Sequence, residues 1–128
     1  ESIDLNGHTG PFIQYGYARI KSLLHRSPDL IDFDIDSFSM SKKEMDVLKV
    51  VAKFSDVLKQ AAIDLSPAIL ANYLYALVKS YNSFYQDSPV IREENKDLKG
   101  FRLQLSNITA RVLNTGMNIM GIQIPDRM

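Results

Sequence analysis

Phe12, Tyr15, Arg19 and Arg26 recur at offsets of three, seven and fourteen from Phe12, so a helix would carry all four on one face, with small Ser22 between them. Rings beside guanidinium groups suit a single-stranded RNA loop. Unstacked bases lie on aromatic or guanidinium planes while the positive charge meets phosphate, and stacking is worth about 1–3 kcal/mol per base. The same spacing fits a plainer arrangement, in which Phe12 and Tyr15 pack against a neighbouring helix and the arginines only solvate the surface. Both readings stand at this point.

Other candidate chemistry fails on its own requirements. Asp32, Asp34 and Asp36 alternate with Phe33 and Ile35, but a calcium loop opening at Asp32 needs glycine sixth and glutamate twelfth, where the sequence has Ser37 and Lys43. The run reads as a solvated connector, and no metal site is expected. His8 and His25 have no spacing partner and read as lone exposed side chains. Ser39-Met40-Ser41-Lys42-Lys43 resembles the KMSKS loop with which class I aminoacyl-tRNA synthetases hold ATP. That role needs a lysine aimed at phosphates from a nucleotide-binding domain, whereas these residues begin a helix and read as its cap. Glycine-rich phosphate cradles and nucleophile–base–acid sets are absent from the sequence. The expectation is no catalytic residue, and no enzyme in this chain alone.

The elements that must position the aromatic and basic stripe belong to one domain. The chain has 128 residues, 45% of them hydrophobic, enough for a single core. Zero cysteines exclude disulfides, thiolate zinc sites and a cysteine nucleophile. The 15 basic and 15 acidic side chains cancel, which argues against coating nucleic acid by bulk charge. Eight basic and ten acidic residues fall in 1–66 and seven and five in 67–128, so a local basic patch remains compatible with neutrality. With no apolar run long enough to span a bilayer and no signal-peptide layout, a soluble cytoplasmic protein is expected. Glu1 in place of an initiator methionine suggests a piece of a longer protein.

Turn chemistry divides the chain. Pro11 opens a helix over 11–26 whose core stripe is Ile13, Gly16, Tyr17, Ile20 and Leu24. Residues 28–40 read as an extended connector whose apolar side chains, Phe33 and Ile35, pack while the acids stay wet, with room for an extra short turn or helix. A capping box, Ser41 with Glu44, starts a helix running to about residue 63 on Leu48, Val51, Phe54 or Ser55, Leu58 and Ala62. Ser66-Pro67 starts the next, with an N-cap and a first-turn proline. Leu70, Tyr73, Leu74, Leu77, Val78, Tyr81 and Phe84 nearly encircle its axis, as in the central helix of a bundle. Asp87-Ser88-Pro89 breaks it, and Arg92 to Lys99 reads as a charged loop. A last helix runs from about Leu98 to Met120 on Phe101, Leu105, Ile108 and Val112, with Gly121 placed to stop it. The fold class is all-α, an antiparallel bundle of four main helices.

In this order the segments resemble one family. Thr9-Gly10-Pro11-Phe12-Ile13-Gln14-Tyr15-Gly16-Tyr17-Ala18-Arg19 resembles the TGPYxQYAxAR opening of the C-terminal domain of arginyl-tRNA synthetases. Pro67, Tyr73-Leu74, Leu77, Asn82, Phe84-Tyr85 and Pro89-Val90 are similar to that family's next signature. Arg102-Leu103, Val112-Leu113, Gly116-Met117, Met120-Gly121-Ile122 and Pro125-Asp126-Arg127-Met128 are similar to its closing segment. The resemblance covers nearly the whole chain and is weakest over 27–43.

It implies an all-helical anticodon-binding domain, residues 10–128, behind a junction at 1–9. The partner implied is the tRNA for arginine, bound by a monomer with no DNA or membrane. The parent would be an arginine–tRNA ligase that uses ATP with magnesium on a separate domain, while this fragment would need no cofactor. The related domain of cysteinyl-tRNA synthetases and a helical protein-interaction domain remain alternatives. Family contacts with the anticodon loop carry over to Phe12, Tyr15, Arg19, Tyr85 and Met128; beside them, Lys21, Arg26 and Arg111 are candidate phosphate contacts by their charge, with plain surface solvation as the alternative. Tyr15 and Tyr85 would be stacking platforms, Arg19 a charged donor and Met128 a wall against one base. Phe12 stands where tyrosine is commoner, which removes a hydroxyl and leaves stacking intact. Tyr17 replaces a commoner histidine and reads as core.

Overall fold

Proline in a first turn costs no hydrogen bond, and in the computed structural model, which describes residues 9–27, 29 and 31–121, Pro11 lies in the first turn of helix α1 (Thr9–Arg26). A single 3-10 turn at Ile35–Ser37 follows within the connector. Then come α2 (Lys42–Ala52), α3 (Phe54–Ile63), α4 (Pro67–Asp87) and α5 (Lys96–Ile119). The described residues are helical without strands, as the periodicity requires.

Several ends are set by side chains read in the sequence. Ser41 accepts from the Glu44 amide while Glu44 accepts from the Ser41 amide, closing the capping box of α2. Asn95 caps α5 through the Leu98 amide, and Gly121, at φ +78°, takes the left-handed conformation after its last turn. Pro67 opens α4 as foreseen, although the Ser66 side chain makes no capping bond.

The expected helix over 41–63 is present in two pieces. Lys53 divides it, donating its amide to the Val50 and Val51 carbonyls. The physical reason lies across the core: the Tyr73 hydroxyl donates to the Val50 carbonyl at 2.5 Å, and a side chain entering the i→i−4 ladder is an established cause of kinks. Phe54 then stacks on the Tyr73 ring, 5.8 Å between centroids. Counting α2 and α3 as one broken arm, the four main helices alternate in direction.

α4 occupies the middle and touches every other α-helix. Leu70, Ala71, Tyr73, Leu74, Leu77, Val78, Tyr81 and Phe84 are all buried, which is why its apolar residues surround the axis. α1 meets it directly because position 16 is glycine: a Cβ there would lie 2.6 Å from Val78 Cγ1. Alternation makes these first and third helices parallel, and Phe12–Tyr75 and Arg19–Asn82 contacts keep the same sequence separation.

Two stripes shift by one position. Leu23 is buried and Leu24 only half-buried. On α5 the fully buried face is Leu105, Thr109, Leu113 and Met117, leaving Ile108 and Val112 half-buried at its edge. In the connector, Phe33 and Phe38 flank Phe101 of α5 at 5.7 and 5.3 Å, while Asp32, Asp34 and Asp36 stay exposed. Ile35 is exposed rather than packed, because the 3-10 turn interrupts the alternation that would align it with Phe33. Met128 and His8 lie outside the described residues.

Candidate nucleic-acid interface

The parallel contact of α1 with α4 brings two rows of side chains to one surface. Phe12, Tyr15, Arg19 and Arg26 come from α1, and Tyr75, Lys79, Asn82 and Tyr85, at steps of four, three and three, come from α4. Tyr15 stands out from the row, 54% exposed. Phe12 is half-buried with its ring 5.0 Å from that of Tyr75, so it supports the surface rather than presenting a free face. Both readings of the stripe therefore hold for different residues: Phe12 packs on a neighbour and Tyr15 does not.

Arg19 is the centre of the arrangement. Its Nη2 donates to Asn82 Oδ1 at 2.9 Å, and its guanidinium carbon lies 4.6 Å from the Tyr85 ring centroid. Neither partner is charged. The guanidinium is oriented by an amide and a π-face while its positive charge meets no carboxylate among the described residues. Tyr85 in turn stacks on Tyr81, 6.1 Å between centroids and 26° between planes. Ser106 donates its hydroxyl proton to the Arg102 carbonyl, so in the 2.7 Å pair with Tyr81 the tyrosine is the donor. Burial keeps the Tyr81 hydroxyl protonated well above the usual phenol range, and this fixed ring is the base on which Tyr85 rests.

Beyond Arg19 the surface opens into a groove of about 620 Å³ whose walls include Leu23 and Arg26 of α1, Tyr85 of α4, and the turn Ser88–Arg92. Arg26 and Arg92 are exposed on it. Asp87 also lines it, but Lys43 pairs with that carboxylate. The turn is tied down from behind by Arg102, whose Nη1 donates to the Pro89 carbonyl at 2.7 Å and to Glu93 at 2.9 Å. Its Nε donates to buried Glu44 at 2.6 Å.

Among the residues carried over from the resemblance, Phe12, Tyr15, Arg19 and Tyr85 meet on this surface, and Arg26 of the candidate phosphate contacts joins them. Lys21 does not: two positions from Arg19 is about 200° around the helix. Arg111 lines a separate shallow depression with Phe54, Ile108, Val112 and Thr115. The sequence reading missed Tyr75, Lys79 and Arg92. The α4 row was legible as a polar and aromatic spacing but was masked by the apolar residues around it. Arg102 had no local signal, since Glu44 is 58 residues away.

No group of three metal-ligating side chains occurs among the described residues, and none of the described helices is long and apolar enough to cross a membrane. The Ser39–Lys43 segment does not fit a nucleotide: Ser41 is engaged in the cap, Lys42 pairs with Asp46 and Lys43 with Asp87.

Residues 13–128 match the family described as DALR anticodon binding domain. The whole chain aligns with 22% of the arginine–tRNA ligase of Bacteroides fragilis at 48% identity, and with 22% of that of Bacteroides thetaiotaomicron at 49% identity. Among solved structures, Thermus thermophilus arginyl-tRNA synthetase superposes with a TM-score of 0.88 at 29% identity, over 98% of this chain and 22% of that one. The chain thus spans about a fifth of the length of these relatives.

Proposed function

The chain belongs to the DALR anticodon binding domain family, and on that premise we propose that its α1–α4 surface binds the anticodon loop of an arginine tRNA for a longer arginine–tRNA ligase. The observation that carries the reading is Arg19. Its guanidinium is held by Asn82 and the Tyr85 ring with its charge unmatched by carboxylate, next to exposed Tyr15 and a groove edged by Arg26 and Arg92.

An opened RNA loop supplies what this surface lacks. One base stacks on Tyr15 and another enters the groove against Tyr85 and Arg19, while phosphates meet the free positive charges. Tyr81 and the Arg102-braced turn fix the groove in advance, so little ordering cost falls on the protein side. Met128, implied by the family resemblance as a wall for one base, belongs to the same proposal. Activation of arginine with ATP and magnesium, and its transfer to tRNA, are proposed for the longer protein, outside this chain.

A protein partner docking on Phe12, Tyr15 and Tyr85 is less well supported. Phe12 and Tyr85 are half-buried, and Ile63, Leu65 and Ile119 are apolar residues exposed elsewhere, at 74, 88 and 58%. Titration of the arginine anticodon stem-loop separates the two. Tyr15→Ala is expected to weaken binding by about 1–3 kcal/mol with the helical spectrum intact, and raised salt to weaken the wild type steeply. Unchanged affinity in Tyr15→Ala would contradict the assignment.

A further inference from the structure

Lys79 lies on α4 one turn after Tyr75 and six residues before Tyr85, which is about 9 Å of rise and about 120° around the helix axis. It is exposed, and its Nζ sits 5.5 Å from the centroid of the Tyr75 ring. Tyr75 also packs against Phe12, at 5.0 Å with planes tilted by 47°. No carboxylate among the described residues pairs with the Lys79 ammonium. A long flexible side chain is thus drawn onto a braced aromatic face, where an ammonium is attracted without being neutralised.

We propose that Lys79, seated on the Phe12–Tyr75 pair, is a contact point for the RNA sugar-phosphate backbone, separate from the groove that takes a base. The inference rests on the anticodon-loop reading above and adds a ligand subsite to it. About 9 Å of rise and about 120° of rotation separate Lys79 from Tyr85, so its contact falls on a nucleotide other than the one whose base lies on Tyr85. An ammonium is a compact point charge without the planar fork that reads base edges. Its contact therefore sets affinity and register and leaves base choice to the groove. It also gives Phe12 a function without free ring exposure: Phe12 orients Tyr75, and Tyr75 orients Lys79.

The test compares wild type, Lys79→Gln and Lys79→Arg for binding of the arginine anticodon stem-loop and of loops with one anticodon base changed, between 50 and 200 mM salt. Loss of one phosphate contact is expected to make the slope of log K against log salt shallower by about 0.7–0.9 in Lys79→Gln. Cognate and altered loops should weaken by the same factor, melting should be unchanged, and Lys79→Arg should keep the wild-type slope. If the wild type binds and Lys79→Gln has the same slope and affinity, this subsite is refuted while the anticodon reading survives. A loss confined to one loop sequence would refute it too, by making Lys79 a base reader. Absence of salt-dependent binding in the wild type would refute the anticodon reading itself.

Discussion

Arg19 and Arg102 sit on α1 and α5, two helices in contact, and each is surrounded by polar or aromatic partners, yet they are electrostatic opposites. Arg102 is 10% exposed at its side chain, and its guanidinium meets two carboxylates, Glu44 at 1% and Glu93 at 18% exposure. Arg19 is half-buried and meets an amide and a ring. The Arg102 cation is answered by two carboxylates inside the protein, and the cluster joins the start of α2, the turn after α4 and the body of α5. At Arg19 one hydrogen bond and a ring orient the guanidinium while its field still points outward. An internal ion pair organises a fold; an oriented, unanswered cation is free to organise a ligand.

The largest expected effect separates these two roles. Arg102→Met should lower stability by about 3–5 kcal/mol in urea unfolding, because buried Glu44 loses its cation. A change below about 1 kcal/mol would mean that Arg102 is as dispensable to the fold as a surface arginine, and the contrast would fail.

A much smaller effect is expected at Asp97, a carboxylate on the solvent side of the same α5. Its carboxyl is held below the usual range, first by the hydrogen bond from the Asp34 amide and then by that from the Ser37 hydroxyl. A depressed carboxylate stabilises above its unfolded pKa and loses that contribution as pH falls through the folded value. Below about pH 4, the Asp34 amide resonance should therefore shift and the Ile35–Ser37 turn should loosen, with the bundle intact. Loss of the whole bundle in that same step would place Asp97 with Glu44 as a core element.

The contrast also explains what the sequence could express. The capping box, the first-turn prolines and the Gly121 stop are local, and each appeared where its residues stood. The break at Lys53 was hidden because its cause is the hydroxyl of Tyr73, a residue of another helix. Half of the candidate surface was legible in the same way: Phe12, Tyr15, Arg19 and Arg26 announce themselves by helical spacing. What spacing could not say is which ring is free. Phe12 and Tyr15 differ only because Tyr75 reaches one of them, and Lys21 and Arg111 looked equivalent to Arg26 until the packing turned them away. Glu44 was readable as a cap and not as the partner of Arg102, since one carboxylate serves both.

The most direct test removes only the charge of Arg19. Arg19→Gln retains an amide donor for Asn82, so urea unfolding should stay within about 0.5 kcal/mol of wild type. Affinity for the arginine anticodon stem-loop should fall by about tenfold, in line with a charge-assisted contact of about 1.5 kcal/mol. Unaltered RNA affinity together with a stability loss comparable to that of Arg102→Met would contradict the assignment, because Arg19 would then be a second structural arginine and the surface around it no binding site.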